Sequence, residues 1–368
     1  MRAMFKKKTI GIFTTGEGHL SIAEAIQDGL GSDYKTKMFF DEEPLAKIYL
    51  PFYQYFPSLF KIPFKLSSYE KVINTQHKAF QLRYQKKIEG FFQKYRPDLL
   101  LSTYFMYNST LEHLQNLTKT PFINAIADPS TPHPMTIANK ARVNLSFNKD
   151  LEKRCQKTYP NATYQSTGWF VRNRFEEKYD QKKIRKKLNL DQDKLTFLIA
   201  SGSEGTTVVM KVLPILIFSQ QPIQVIVACG SNQALYRSTE ALQKIIDKSD
   251  NHSSLIPLKF TPKIHLYMQA ADLVIGKAGP NMLFETVATE TPFFAITHIA
   301  GQEDGNLDII RDYNLGYVEE NILKAQRILK QIINHPEQLD KFKTDILKLK
   351  KYNQQSKEKL LKIIANLI

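Results

Sequence analysis

The chain has 368 residues, with 51 Lys and Arg against 36 Asp and Glu and a formal net charge of +15. That length favours two domains, and 42% hydrophobic with 24% charged residues excludes a disordered or fibrous chain. The charge excess points to a negatively charged partner: nucleic acid, an anionic membrane surface or a phosphorylated substrate.

In chain order, the basic residues 1–8 precede a short alternating apolar run that ends at Gly16, which is no signal-peptide core. Short β-rich runs at 9–14, 98–102, 122–127, 195–200, 223–228, 273–276 and 292–297 alternate with helical patterns, the signature of βαβ units and parallel sheets. A charged, irregular stretch at about 148–193 separates the first three runs from the last four. The reading is therefore two doubly wound sheets joined near Gly168, with domains at 1–168 and 169–336 and a helical segment at 337–368. Each half begins with a strand running into a glycine turn, Thr14-Thr15-Gly16-Glu17-Gly18-His19 and Ser201-Gly202-Ser203-Glu204-Gly205. Such turns aim backbone N–H groups at an anion, and two such halves facing each other enclose a cleft.

Between the first two runs, residues 46–65 interleave Phe52, Tyr53, Phe56 and Phe60 with Lys61 and Lys65 and contain no acid. Three prolines interrupt any long core helix there, so contact with a lipid acceptor or membrane interface is the expectation. Residues 212–236 carry no charge, yet Pro214, Gln220-Gln221-Pro222 and Gly230-Ser231-Asn232-Gln233 divide them, and no transmembrane helix is expected. Cys155 and Cys229 stand too far apart in so long a chain for a disulfide framework or a Cys-rich zinc site, which suits a reducing cytosol. At 337–368, Leu339, Phe342, Ile346, Leu349, Leu360, Ile363, Ile364 and Leu367 recur at helical spacing among lysines, predicting an amphipathic helix docked by its apolar stripe.

The segment Gly276-Lys277-Ala278-Gly279-Pro280-Asn281-Met282-Leu283-Phe284-Glu285 carries the most chemistry. A glycine-proline turn at a helix N-terminus offers N–H donors to a diphosphate, and a carboxylate one turn further on accepts both hydroxyls of a ribose. Downstream, Gly301-Gln302-Glu303-Asp304-Gly305-Asn306 groups amide and acid side chains suited to sugar hydroxyls.

This pattern, with Glu290-Thr291-Pro292 between its parts, resembles the donor site of monogalactosyldiacylglycerol synthases and processive diacylglycerol glucosyltransferases, GT-B enzymes related to MurG. Gly16-Glu17-Gly18-His19 is similar to the family's N-terminal glycine loop. Ala127-Asp128-Pro129-Ser130-Thr131-Pro132-His133-Pro134 is similar to its Thr-Asp-x-x-Thr-x-His-Pro segment, and Thr167-Gly168-Trp169-Phe170-Val171-Arg172 to its interdomain stretch. The chain departs from the family pattern at Glu17, Phe170 and Asn281. The resemblance implies an α/β GT-B fold of two Rossmann-like domains, and inverting transfer of a hexose from a UDP-sugar to a diacylglycerol-type lipid, with no cofactor and no essential metal. It also implies a protein peripheral to the cytoplasmic face of an anionic membrane.

An inverting transfer needs a base for the acceptor proton, and His19 is the first choice, with Asp128 and His133 beside it on the inner face of the first sheet. Asp128 either orients an imidazole or caps a turn before Pro129. Donor-binding residues are Gly202, Ser203, Glu204, Gly279, Pro280, Asn281, Glu285, Gln302, Glu303 and Asn306. The competing readings are a MurG-like transferase to an isoprenoid-diphosphate lipid and a catalytically impaired UDP-sugar-binding protein. Nucleic-acid binding has no motif behind it, because the basic residues are spread along the chain.

Overall fold

The structure is a computed structural model and describes residues 7–16, 18–42, 69–200, 205–248 and 253–368. The chain divides into two compact units, Met1–Asn173 with Ile299–Gly305 and Tyr352–Ile368, and Arg174–His298 with Asn306–Lys351.

The first unit runs β1 (Thr9–Thr14), α1 (Gly18–Leu30), β2 (Lys35–Phe40), α2 (Glu70–Tyr95), β3 (Leu99–Ser102), α3 (Asn108–Thr118), β4 (Phe122–Ala125), β5 (Val143–Ser146), α4 (Lys149–Thr158) and β6 (Tyr164–Ser166). Its strands form one parallel sheet in the order β2-β1-β3-β4-β5-β6. Ile10, Ile12 and Phe13 on β1 are fully buried, as expected of a central parallel strand covered on both faces. Aromatic rings fill the space under α2: Tyr84 meets Tyr107 edge-on at 4.9 Å, and Tyr107 meets Tyr104 at 5.2 Å.

The second unit runs α5 (Asn173–Glu176), α6 (Gln181–Lys187), β7 (Leu195–Ala200), α7 (Gly205–Ile217), β8 (Ile223–Gly230), α8 (Gln233–Ile246), β9 (Ser254–Lys259), α9 (Ile264–Ala270), β10 (Leu273–Lys277), α10 (Pro280–Ala288), β11 (Phe293–Thr297), α11 (Asp304–Asp312), β12 (Gly316–Val318), α12 (Ile322–Asn334) and α13 (Lys343–Gln354). Its parallel sheet has the order β12-β11-β10-β7-β8-β9, the doubly wound arrangement. A last helix, α14 (Ser356–Ala365), lies against α1 in the first unit.

All seven anticipated strands are present, and five more complete the two sheets. Four of these, β2, β6, β9 and β12, are edge strands. Edges are half-covered and carry polar residues such as Lys35, Thr36 and Lys37, so they lack the continuous apolar run that marks a central strand. The fifth, β5, alternates Val143 and Leu145 with Asn144, whose buried amide accepts a 2.7 Å bond from Asn124 on β4. The stretch at 148–193 is accordingly not irregular; it holds α4, β6, α5 and α6.

The units divide at Asn173/Arg174 and not at 168/169. Beyond Gly168, whose φ of +100° turns the chain, the Trp169 amide donates to Oδ1 of Asn353 (3.0 Å), at the end of α13 where the chain has re-entered the first unit. Arg172 pairs with Glu24 (3.1 Å) and the Asn173 amide donates to Asp28 (2.8 Å), so these residues are held in the first unit. The C-terminal segment is a 3₁₀ stretch (Pro336–Phe342) followed by α13 and α14. Leu339, Phe342, Ile346 and Leu349 are buried in the second unit, and Leu360, Ile363 and Ile364 in the first.

Candidate active site

In doubly wound sheets ligands sit at the carboxyl ends of the strands, where the strand order reverses. In the first unit that point lies between β1 and β3. Parallel pairing of Phe13 with Ser102 puts Thr14 beside Thr103 just past the strand ends. The chain then turns into α1, whose first turn carries His19. Its Nδ1 is 2.6 Å from the Thr103 carbonyl oxygen. A carbonyl only accepts, so Nδ1 holds the proton and Nε2 carries the lone pair. The Tyr104 ring backs the imidazole edge-on at 4.8 Å. Burial holds the His19 pKa below the ordinary histidine value of 6.5, opposed by the Thr103 bond, so the ring is neutral near pH 7 and able to take a proton.

Asp128 follows β4 and occupies the turn-capping role foreseen as its structural alternative. Its Oδ1 accepts from the amides of Ser130 (3.0 Å) and Thr131 (2.8 Å), and the group that orients His19 is the Thr103 carbonyl. Burial, with the Glu303 carboxylate adding to it, pushes the Asp128 carboxyl up to about 6 against those amide bonds. His133 Nδ1 accepts from the Met135 amide (3.2 Å) and caps a 3₁₀ turn, so in the neutral ring Nε2 carries the proton. His133 is thereby set up as a donor and His19 as an acceptor.

The linkage sign at Asp128 gives a first prediction. Above about pH 6 the folded protein holds this carboxylate ionised in a site that penalises it, whereas the unfolded chain does so freely down to its ordinary 3.8. Asp128→Asn keeps the amide acceptor and should raise the thermal midpoint at pH 8, the gain shrinking as pH falls below about 6. Calorimetric scans of both proteins across that range check it; a pH-independent difference would contradict the shifted carboxyl.

In the second unit the order reverses between β7 and β10. Gly276, near the end of β10, passes so close to the Ala200 carbonyl that a Cβ would collide with it. The chain then enters α10 with Gly279 as N-cap and Pro280 at the first position. Pro280 has no N–H, so the first-turn amides are those of Asn281 and Met282, ahead of the first intrahelical bond from Leu283 to Gly279 (3.0 Å). Leu283, Phe284 and Val287 are buried under the helix, leaving half-buried Asn281 and Glu285, four residues apart, on one outer face.

The run from Gln302 to Asn306 divides in role. Glu303 is buried and its Oε2 accepts from the Ile299 amide (2.7 Å), closing its own loop. Asn306 is buried, and its Nδ2 donates to Ala278 O (2.8 Å), bracing the turn before α10. Gln302 alone of the three has an exposed side chain, while its carbonyl accepts from Thr131 (3.3 Å). Gly202, Ser203 and Glu204, and the segment with Phe52, Tyr53, Phe56, Phe60, Lys61 and Lys65, lie outside the described residues.

Thr103 had no motif to announce it. Neither had a group at the end of β11, where Lys211 donates to Ile296 O (2.8 Å) and His298 Nδ1 bonds Glu320 (2.7 Å). A cavity of about 430 Å³ in the second unit is bordered by Lys194, Asp272 and Pro292, which immediately precede β7, β10 and β11. It therefore opens at the amino ends of the strands, opposite the switch point. Both cysteines are buried free thiols, and burial pushes Cys155 up to about 11, so it is unreactive at neutral pH. Among the described residues no group of three or more His, Cys, Asp or Glu side chains could hold a metal ion. No described helix is long and apolar enough to cross a membrane.

Residues 196–367 match the family described as glycosyltransferase family 28 C-terminal domain. The chain is 26% identical over 354 residues to a probable chloroplastic monogalactosyldiacylglycerol synthase of Nicotiana tabacum. That alignment covers 89% of this chain and 64% of the relative, so the chain spans just under two thirds of that protein. It is 23% identical to a processive diacylglycerol beta-glucosyltransferase of Bacillus licheniformis, covering 94% of this chain and 92% of the relative. Among solved structures, MurG of Acinetobacter baumannii superposes with a TM-score of 0.61 at 14% identity, covering 98% of this chain and all of that one. The fold is GT-B, and the resemblance read from the motifs holds in both sequence and architecture.

Proposed function

We propose that this chain, whose second half is a glycosyltransferase family 28 C-terminal domain, is an inverting, UDP-sugar-dependent hexosyltransferase acting on a diacylglycerol-type lipid at an anionic membrane surface. The observation that carries the reading is the neutral His19 imidazole at the first unit's switch point, its Nδ1 proton spent on Thr103 and its Nε2 lone pair left to act. In the reaction the lipid hydroxyl attacks the anomeric carbon from the face opposite UDP, its proton passes to His19 Nε2, and the carbon–oxygen bond to the diphosphate breaks with inversion. The departing diphosphate is stabilised by the amides and the positive end of the helix dipole at the start of α10, and Glu285 accepts from the ribose hydroxyls. Gln302 supplies an exposed amide for the hexose.

The outer face of α2 supports the membrane part of this reading. Lys71, Lys78, Arg83 and Lys86 are all exposed on it, with Val72 and Leu82 between them, and Leu82 is 80% exposed. Cations around protruding apolar side chains suit an anionic lipid surface, each contributing about 1 kcal/mol there.

Incubation with diacylglycerol vesicles and a panel of UDP-sugars, read by mass spectrometry of the lipids, tests donor and acceptor together. A hexosyl-diacylglycerol product is expected. UDP-sugar binding without turnover would reduce the protein to a binder, and product only with an isoprenoid-diphosphate lipid would move it to MurG-like chemistry. In the same vesicles, binding should rise with anionic lipid and fall with salt, and reversing Lys71, Lys78, Arg83 and Lys86 to Glu should weaken it at least about tenfold. Undiminished cosedimentation of that variant would clear α2 of the role.

A further inference from the structure

We propose that Thr103 is a positioning residue that selects the tautomer of His19 and so decides which ring nitrogen receives the acceptor proton; the role in turnover rests on the reading of His19 as the base. Three ties hold Thr103 in place. Its amide donates to the Phe13 carbonyl (3.0 Å), its carbonyl receives His19 Nδ1 (2.6 Å), and its hydroxyl lies 2.8 Å from Thr14 Oγ1 and 3.2 Å from the His19 carbonyl oxygen. The side chain is 1% exposed, so these bonds are shielded from water. The first tie belongs to the β1–β3 pairing and any residue could make it. The hydroxyl is different, because it latches the strand end to the first turn of α1 and keeps the Thr103 carbonyl in the imidazole plane's reach. Without that latch the carbonyl and the ring are joined by a single contact, and the ring is able to turn or exchange its proton to the other nitrogen.

The test uses the full chain. ¹⁵N NMR of the His19 ring should show the Nδ1–H tautomer in the wild type and in Thr103→Ser, and a population displaced toward Nε2–H in Thr103→Val, which keeps shape and loses the hydroxyl. In the vesicle assay Thr103→Val should lower kcat about tenfold with KM for the UDP-sugar changed less than about twofold, and Thr103→Ser should restore kcat. An Nε2–H ring in the wild type, or equal losses in the Ser and Val variants, overturns the proposal; the wild-type spectrum and the Ser variant decide it even where Thr103→Val fails to fold. Should the spectra be as expected while His19→Ala retains full turnover, the positioning stands and the assignment of His19 as base falls.

Discussion

His19→Ala should lower kcat by ~10² to 10⁴ while leaving UDP affinity nearly unchanged, because a positioned general base contributes that much and makes no contact with the nucleotide. The pH profile should move with it. His19 acts only when neutral, and burial holds its pKa below 6.5, so the wild-type rate should fall only on the acid side of that value. That acid limb should disappear from whatever residual activity His19→Ala retains. Asp128→Asn should be the milder lesion, since the Asp128 Oδ1 is engaged by the Ser130 and Thr131 amides and its place in the turn survives as asparagine. Near-wild-type kcat in His19→Ala, together with loss of activity in Asp128→Asn or His133→Ala, would move the proton acceptor to the loop after β4.

Glu285→Ala should weaken UDP binding at least about tenfold, measured by calorimetry. Two charge-assisted bonds to the ribose are worth roughly 1.5 to 3 kcal/mol each, and losing the smaller of these is already about a factor of ten. The fold should tolerate the change. Glu285 lies on the outer face of α10, away from buried Leu283, Phe284 and Val287, and alanine is the better helix former. Unaltered UDP affinity would remove Glu285 from the ribose.

The central strands were legible because a strand covered on both faces must be apolar nearly throughout, as Ile10, Ile12 and Phe13 are. Edge strands escape that rule, and so does β5, where a buried polar side chain is satisfied by a partner 20 residues away, Asn144 by Asn124. The turn into α10 was legible too, since glycine, proline and a carboxylate one turn later form a local pattern within ten residues.

What the sequence determined by itself, then, was whatever short-range periodicity and turn chemistry encode: two doubly wound halves, the glycine loop before His19, and α10 with Glu285. Tertiary structure alone decided which nitrogen of His19 carries the proton, because the carbonyl that accepts from it comes from Thr103, 84 positions along the chain. It likewise set Asn306 to bracing the turn before α10, 28 positions away. It also carried the unit boundary to Asn173 through bonds to Asn353, Glu24 and Asp28. A hydrogen bond depends on where two groups meet in space, and groups so far apart in sequence are brought together only by sheet register and helix packing.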